Sequence, residues 1–186
     1  KVAMGAWRTA PCHEVETAPS QLRWSPLPLP KKKQTFLQGI VTLTTCGDAS
    51  AQSGMAASIY LITASMVDEY FYNADAEMML VPQENDIRVC TEFGIIDAEP
   101  GELIVIPRGV KIRVEIPKGP ARGYLCENYG GAFTLPERGP IGANCLANQR
   151  DFMTPVAAYE DRETKSALYL KWGGNLWRAE LGWSPL

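Results

Sequence analysis

The segment that most constrains this chain is Gly101 to Ile116, which reads GELIVIPRGVKIRVEI. From Lys111 onward the alternation is strict. Lys111, Arg113 and Glu115 fall on one side, Ile112, Val114 and Ile116 on the other. That period describes a strand with one face against a core and the other toward solvent. The preceding run, Leu103–Ile106, is apolar at every position, which predicts a strand covered on both faces and central in its sheet. Pro107-Arg108-Gly109 is the turn that joins the two. Other strand-like runs recur at short, regular intervals, as in a sandwich or barrel. They are Phe36–Leu43, Ser58–Thr63, Glu69–Tyr72, Met78–Val81 closed by Pro82, Ile87–Thr91, Gly94–Ala98 and Gly123–Tyr129. Near the end, Ala167–Trp172 and Leu176–Leu181 flank Gly173-Gly174-Asn175, a hairpin signal. Almost no helix is expected before residue 147, because no long window carries a 3.6-residue period.

The spacing inside the opening segment resembles the second sequence motif of the cupin barrels: Gly101, Pro107, Gly109, Ile112, Ile116. In metal-binding cupins the position held here by Ile112 is a histidine ligand. The best match to the first cupin motif is Tyr70-Phe71-Tyr72 ahead of Glu77, so tyrosines stand where ligands would be. The resemblance implies an all-β fold, a cupin-like jelly-roll sandwich or barrel with degenerate metal motifs. Its interior is expected to be plugged by side chains such as Ile112, Val114 and Met78. Burial of one large aliphatic of this kind contributes about 1.5–3 kcal/mol.

Residue types limit the chemistry further. A 2-His-1-carboxylate site needs two imidazoles, and the chain has a single histidine, His13, in a proline-rich arm. The same count removes Ser-His-Asp and Cys-His triads. Asp68-Glu69 and Glu160-Asp161 read as solvated edges. Glu127 lies in a strand beside apolar neighbours and is expected to be a buried carboxylate in an ion pair with Arg113 or Arg122. No Gly-rich nucleotide-binding pattern occurs. No catalytic, cofactor-binding or metal-binding residue is therefore expected in this chain. Two rival readings remain: a stand-alone metal-free cupin that binds a small ligand, or a metal-independent cupin isomerase using Tyr70, Tyr72 or Glu127 as acid and base. An open polar pocket inside the barrel would support either.

Two parts are predicted. Residues 1–35 form an irregular arm, since Pro11, Pro19, Pro26, Pro28 and Pro30 prevent regular structure. Trp7 and Trp24 are its expected anchors on the barrel, with Trp24 also a candidate for an oligomer interface. Residues 36–186 form the β domain. It includes a loop at 136–151 rich in Gly, Pro and Asn, in which Asn148 or Asp151 caps a short helix leading into Phe152–Tyr159. The Lys31-Lys32-Lys33 run reads as a solvated loop, and a net charge of −3 gives no pull toward nucleic acid or an anionic membrane. Five widely spaced cysteines with no C-x-x-C argue against disulfides and zinc and for a reducing compartment. Cys90 and Cys126 read as reduced core residues. No apolar leader is expected at the start, and the stretch Met55 to Val67 is too short to span a bilayer.

Several words of the chain are similar to the N-terminal half of homogentisate 1,2-dioxygenases. They include Gln21-Leu22-Arg23-Trp24, Phe71-Tyr72-Asn73-Ala74-Asp75, Leu80-Val81-Pro82-Gln83, Thr91-Glu92-Phe93-Gly94, and above all Gly139-Pro140-Ile141-Gly142-Ala143-Asn144 with Leu146-Ala147-Asn148 and Arg150-Asp151-Phe152. The resemblance implies a cytosolic Fe(II) enzyme of tyrosine and phenylalanine breakdown that uses O2 to open the ring of homogentisate, giving maleylacetoacetate. It implies two β domains and trimers that pair into hexamers. The iron is held by two histidines and a glutamate of the C-terminal catalytic domain, so none is carried onto this chain, and this part alone is expected to be inactive. Its implied work is scaffolding: packing against that domain and building the oligomer, with Gly139–Asp151 the expected contact loop. The end at Ser184-Pro185-Leu186 reads as a domain boundary within a longer protein. Short connections near Lys31, at Pro117–Ala121 and at Glu163–Ser166 read as places where the family carries more chain.

Overall fold

The computed structural model describes residues 1–14, 19–21, 23, 25–138 and 147–186. Its strands in chain order are β1 (Ile40–Asp48), β2 (Ser53–Ile62), β3 (Glu69–Asn73), β4 (Glu77–Glu84), β5 (Ile87–Thr91), β6 (Gly94–Ala98), β7 (Ile104–Ile106), β8 (Ile112–Glu115), β9 (Ala121–Asn128), β10 (Glu163–Trp172) and β11 (Asn175–Trp183). They build a sandwich of a five-stranded sheet, β1-β2-β9-β4-β7, and a six-stranded sheet, β11-β10-β3-β8-β5-β6. Strand neighbours run antiparallel, except that β10 lies parallel to β3. This is an all-β arrangement of two sheets, in line with the jelly-roll sandwich that the motif spacing implies.

The core is the space between the sheets. Ile112 and Val114 from β8 are wholly buried, and Met78, Leu80 and Leu125 meet them from the opposite sheet. Lys111, Arg113 and Glu115 stay half-exposed on the other face. The interior positions named from the sequence therefore do fill the sandwich, as close packing of aliphatic side chains requires.

Several local expectations are corrected. Leu103–Ile106 is not central: β7 is the edge of the five-stranded sheet, paired to β4 alone, with Leu103 and Val105 exposed. Its apolar outer positions reflect an uncovered edge and not a second buried face. The Pro107–Gly109 turn does not form a hairpin. It carries the chain from one sheet to the other, since β7 and β8 belong to different sheets. Phe36–Gly39 forms a helical turn before β1 starts, with Gln38 reaching back to the Thr35 amide. β1 runs on past Leu43 and β2 starts before Ser58, leaving only Ala49–Gln52 to turn between them. Pro82 does not close β4. The strand passes through it because β7 pairs no further than Leu80, leaving that side free of ladder bonds, and a register shift comes at Glu84. Asn148 does cap, but the capped element is a single 3-10 turn, Gln149–Asp151, after which Phe152 leaves in extended conformation.

From the arm, Trp7 is 1% exposed, and the Thr42 amide donates to the Ala6 carbonyl at 3.1 Å. Trp24 and residues 139–146 of the predicted contact loop lie outside the described residues. Among the cysteines described, none is paired; Cys90 is buried and Cys126 half-buried. No described helix is long and apolar enough to cross a membrane.

Candidate functional site

Two polar clusters stand out, one inside the sandwich and one on its outer face. The inner one centres on Glu127. β9 points this side chain into the interior from the five-stranded sheet, while β3 and β10 bring Asn73 and Lys171 from the opposite sheet. One carboxylate oxygen accepts from Asn73 Nδ2 at 2.7 Å and from Lys171 Nζ; the other accepts from Trp7 Nε1 at 2.7 Å. Glu127 and Lys171 are both fully buried. The ammonium also lies 4.7 Å from the centre of the Trp7 ring and 5.6 Å from that of Tyr129. Asn73 turns its carbonyl oxygen to the amides of Asp75 and Ala76 at 3.0 Å each. Asp75 in turn accepts from the amides of Gly173 and Gly174 at 2.7 and 2.9 Å, pinning the β10–β11 turn. Burial pushes the Tyr129 hydroxyl pKa up, and the nearby Glu127 charge adds to it.

Glu127 is thus the buried, ion-paired carboxylate that the sequence predicts, with a different partner. Arg113 pairs with Glu115 and Glu160, and Arg122 reaches Glu84 at 3.5 Å; neither touches Glu127. Lys171 escapes a sequence reading because a lysine between Leu170 and Trp172 in a strand looks solvent-facing. Only the parallel pairing of β10 with β3 turns it inward. With each charge compensated and none exposed to water, this cluster ties the arm, both sheets and a hairpin turn together.

The outer cluster forms where the strap of residues 152–162 crosses the six-stranded sheet. Val156 bridges Ile95 of the β6 edge through two backbone bonds of 2.7 and 2.8 Å. Farther on, Glu160 takes Arg113 at 2.5 Å and Tyr70 Oη at 2.9 Å, with Ser184 Oγ also donating to it. Arg162 pairs with Asp68 at 2.6 Å. Partial burial pushes the Glu160 carboxyl up, but the hydrogen bonds from Ser184, Arg113 and Tyr70 outweigh it and hold its pKa below the usual range. A cleft of about 250 Å³ between strap and sheet is lined by Arg88, Cys90, Arg113, Glu115, Tyr159 and Glu160. Burial pushes the Cys90 thiol pKa up, which leaves it protonated and a poor nucleophile.

The acid–base set Tyr70, Tyr72 and Glu127 is not assembled. Phe71 and Asn73 face the interior, so by alternation Tyr70 and Tyr72 face outward, on the far side of the sheet from Glu127. Glu77 accepts from the Phe133 amide at 2.7 Å, a structural contact. His13 is exposed at a second cleft of about 280 Å³, together with Trp7, Arg8, Thr9 and Cys12. Among the described residues no three His, Cys, Asp or Glu side chains converge to hold a metal. At the cupin ligand position, Ile112 packs its aliphatic side chain into the core, so these residues do not fit an iron ion.

Comparison with known proteins places this geometry among relatives. A family model described as homogentisate 1,2-dioxygenase N-terminal matches residues 2–186. The chain is 70% identical over 186 residues to a homogentisate 1,2-dioxygenase of Rhodopseudomonas palustris strain BisA53 and 65% identical to one of Bradyrhizobium diazoefficiens. All of this chain aligns in each case, and it spans 42% of each relative's length. Among solved structures, it is similar to the Schizosaccharomyces pombe Cnp3 cupin domain at a TM-score of 0.42 and 14% identity, covering 48% of this chain and 59% of that one. A cupin-2 domain protein of Shewanella frigidimarina matches at a TM-score of 0.36 and 19% identity, covering 40% of this chain and 70% of that one.

Proposed function

This chain belongs to the homogentisate 1,2-dioxygenase N-terminal family, and from that premise we propose that it is the non-catalytic, scaffolding domain of such an enzyme. The longer protein opens the ring of homogentisate with O2 to give maleylacetoacetate in tyrosine and phenylalanine breakdown, in the cytoplasm. Its Fe(II) is bound by a C-terminal domain beyond the stretch matched here. The present domain contributes a rigid sandwich that packs against that catalytic domain and builds the oligomer, trimers pairing into hexamers.

The observation that carries this reading is the family match across residues 2–186 by a model of the N-terminal part alone. Ile112 fits it: a wholly buried aliphatic occupies the position at which metal-binding cupins carry a ligand. So do the interior charges, which are consumed in holding arm, sheets and hairpin together and face no substrate-sized space. The test is oxygen uptake by the full-length protein loaded with Fe(II). Uptake that depends on homogentisate, with maleylacetoacetate as product, is expected. A full-length, iron-loaded protein that leaves homogentisate unchanged overturns the reading.

A further inference from the structure

The outward face of the β10–β11 hairpin has the wrong polarity for a sheet face that meets water. The register places Leu168 opposite Ala179, and Leu170 opposite Trp177. Since Lys171 and its partner Asn73 point inward, Leu170, Trp172 and Trp177 point outward, beside Tyr72 of β3. An antiparallel hairpin with one solvated face alternates apolar-in and polar-out. Beyond Leu176, which enters the core, β11 does the reverse. Its inward-phase residues Arg178 and Glu180 are exposed and paired with each other at 3.3 Å, while outward-phase Trp177 and Leu181 are apolar. Trp172 is 61% exposed and Trp183 60%. The platform is also rigid: Trp177 Nε1 donates to the Trp172 carbonyl at 3.2 Å, Asp75 pins the turn, and Lys171 is locked in the core. Aromatic anchors on a pre-organised element, with charges kept off the face, are the composition of a buried interface centre.

We infer that this face seats the C-terminal part of the same polypeptide. The inference rests on the reading that the chain is one domain of a longer dioxygenase. Two observations select this occupant. The relatives carry more than half of their length outside the stretch matched here, and the matching model is of their N-terminal part. The matched stretch also ends beside this face, with Ser184 donating into the Glu160 cluster directly after β11.

The test is photo-cross-linking in the full-length protein carrying Trp177→p-benzoylphenylalanine, with Trp172→p-benzoylphenylalanine as a second position should the first fail to fold. Isotopically heavy and light chains are mixed before irradiation. The expected adduct runs at the mass of one chain, joins position 177 to a peptide C-terminal to the matched stretch, and contains no heavy–light pairs. Heavy–light adducts mean that a second copy sits on the face, and they overturn the inference. So do adducts confined to residues 1–186, or no adduct from either position in folded protein. Oxygen uptake with homogentisate, measured on the same preparations, reports separately on the dioxygenase reading, so the two fail independently.

Discussion

At the scale of single residues, the buried pair Lys171–Glu127 decides most. Removing one partner leaves a charge stranded in the interior. Lys171→Met is expected to cost about 3–5 kcal/mol, read from urea denaturation. Adding Glu127→Leu to that variant recovers a large part of the loss, because an apolar pair replaces the stranded carboxylate. A double variant no more stable than the single one contradicts this. The inward phase of Ile112 and the burial of Glu127 are both legible in the sequence, the first from strict alternation and the second from apolar neighbours. The partner of Glu127 is not. Pairing between β3 and β10 joins segments nearly a hundred residues apart, and no local pattern reports it.

Among elements, the strap over the six-stranded sheet carries two expectations. Gly94 has φ +121°, and an added Cβ would collide with the carbonyl of Val156. Gly94→Ala therefore combines backbone strain with loss of the Ile95–Val156 bridge, and is expected to cost roughly 2 kcal/mol or more by thermal or urea denaturation. Hydrogen exchange should show the strap amides opening well ahead of the sheets in that variant. Glu160 gives the strap an acid limit. Its folded pKa lies below its unfolded value, so the stabilisation is present above the ordinary glutamate pKa and lost as pH falls through the folded one. Melting temperatures taken from about pH 6 to pH 3 should fall less steeply for Glu160→Gln than for the parent. Equal slopes would remove Glu160 from the set of groups that hold the strap. The strap itself is not legible: residues 152–162 carry no period, and their course is fixed by the Ile95–Val156 bridge, by backbone bonds of Glu160 and Arg162 to Leu186 and Ser184, and by ion pairs, all between distant segments. Leu103–Ile106 misleads for a related reason. An apolar run looks alike in a covered central strand and in an uncovered edge strand.

For the whole molecule, the sequence carries the fold and the likeness to a family, and the structure supplies what is packed inside. Ile112, Val114 and Met78 fill the interior, Glu127 is paired with Lys171, and the outward hairpin face is apolar where a free-standing domain would be polar. All three fit a domain that supports chemistry done elsewhere. The most direct test is an oxygen electrode and an iron-binding titration on residues 1–186 alone. With Fe(II) and homogentisate supplied, no homogentisate-dependent oxygen uptake and no stoichiometric iron binding are expected. Sustained turnover by this chain would place a working site within it and contradict the proposed division of labour.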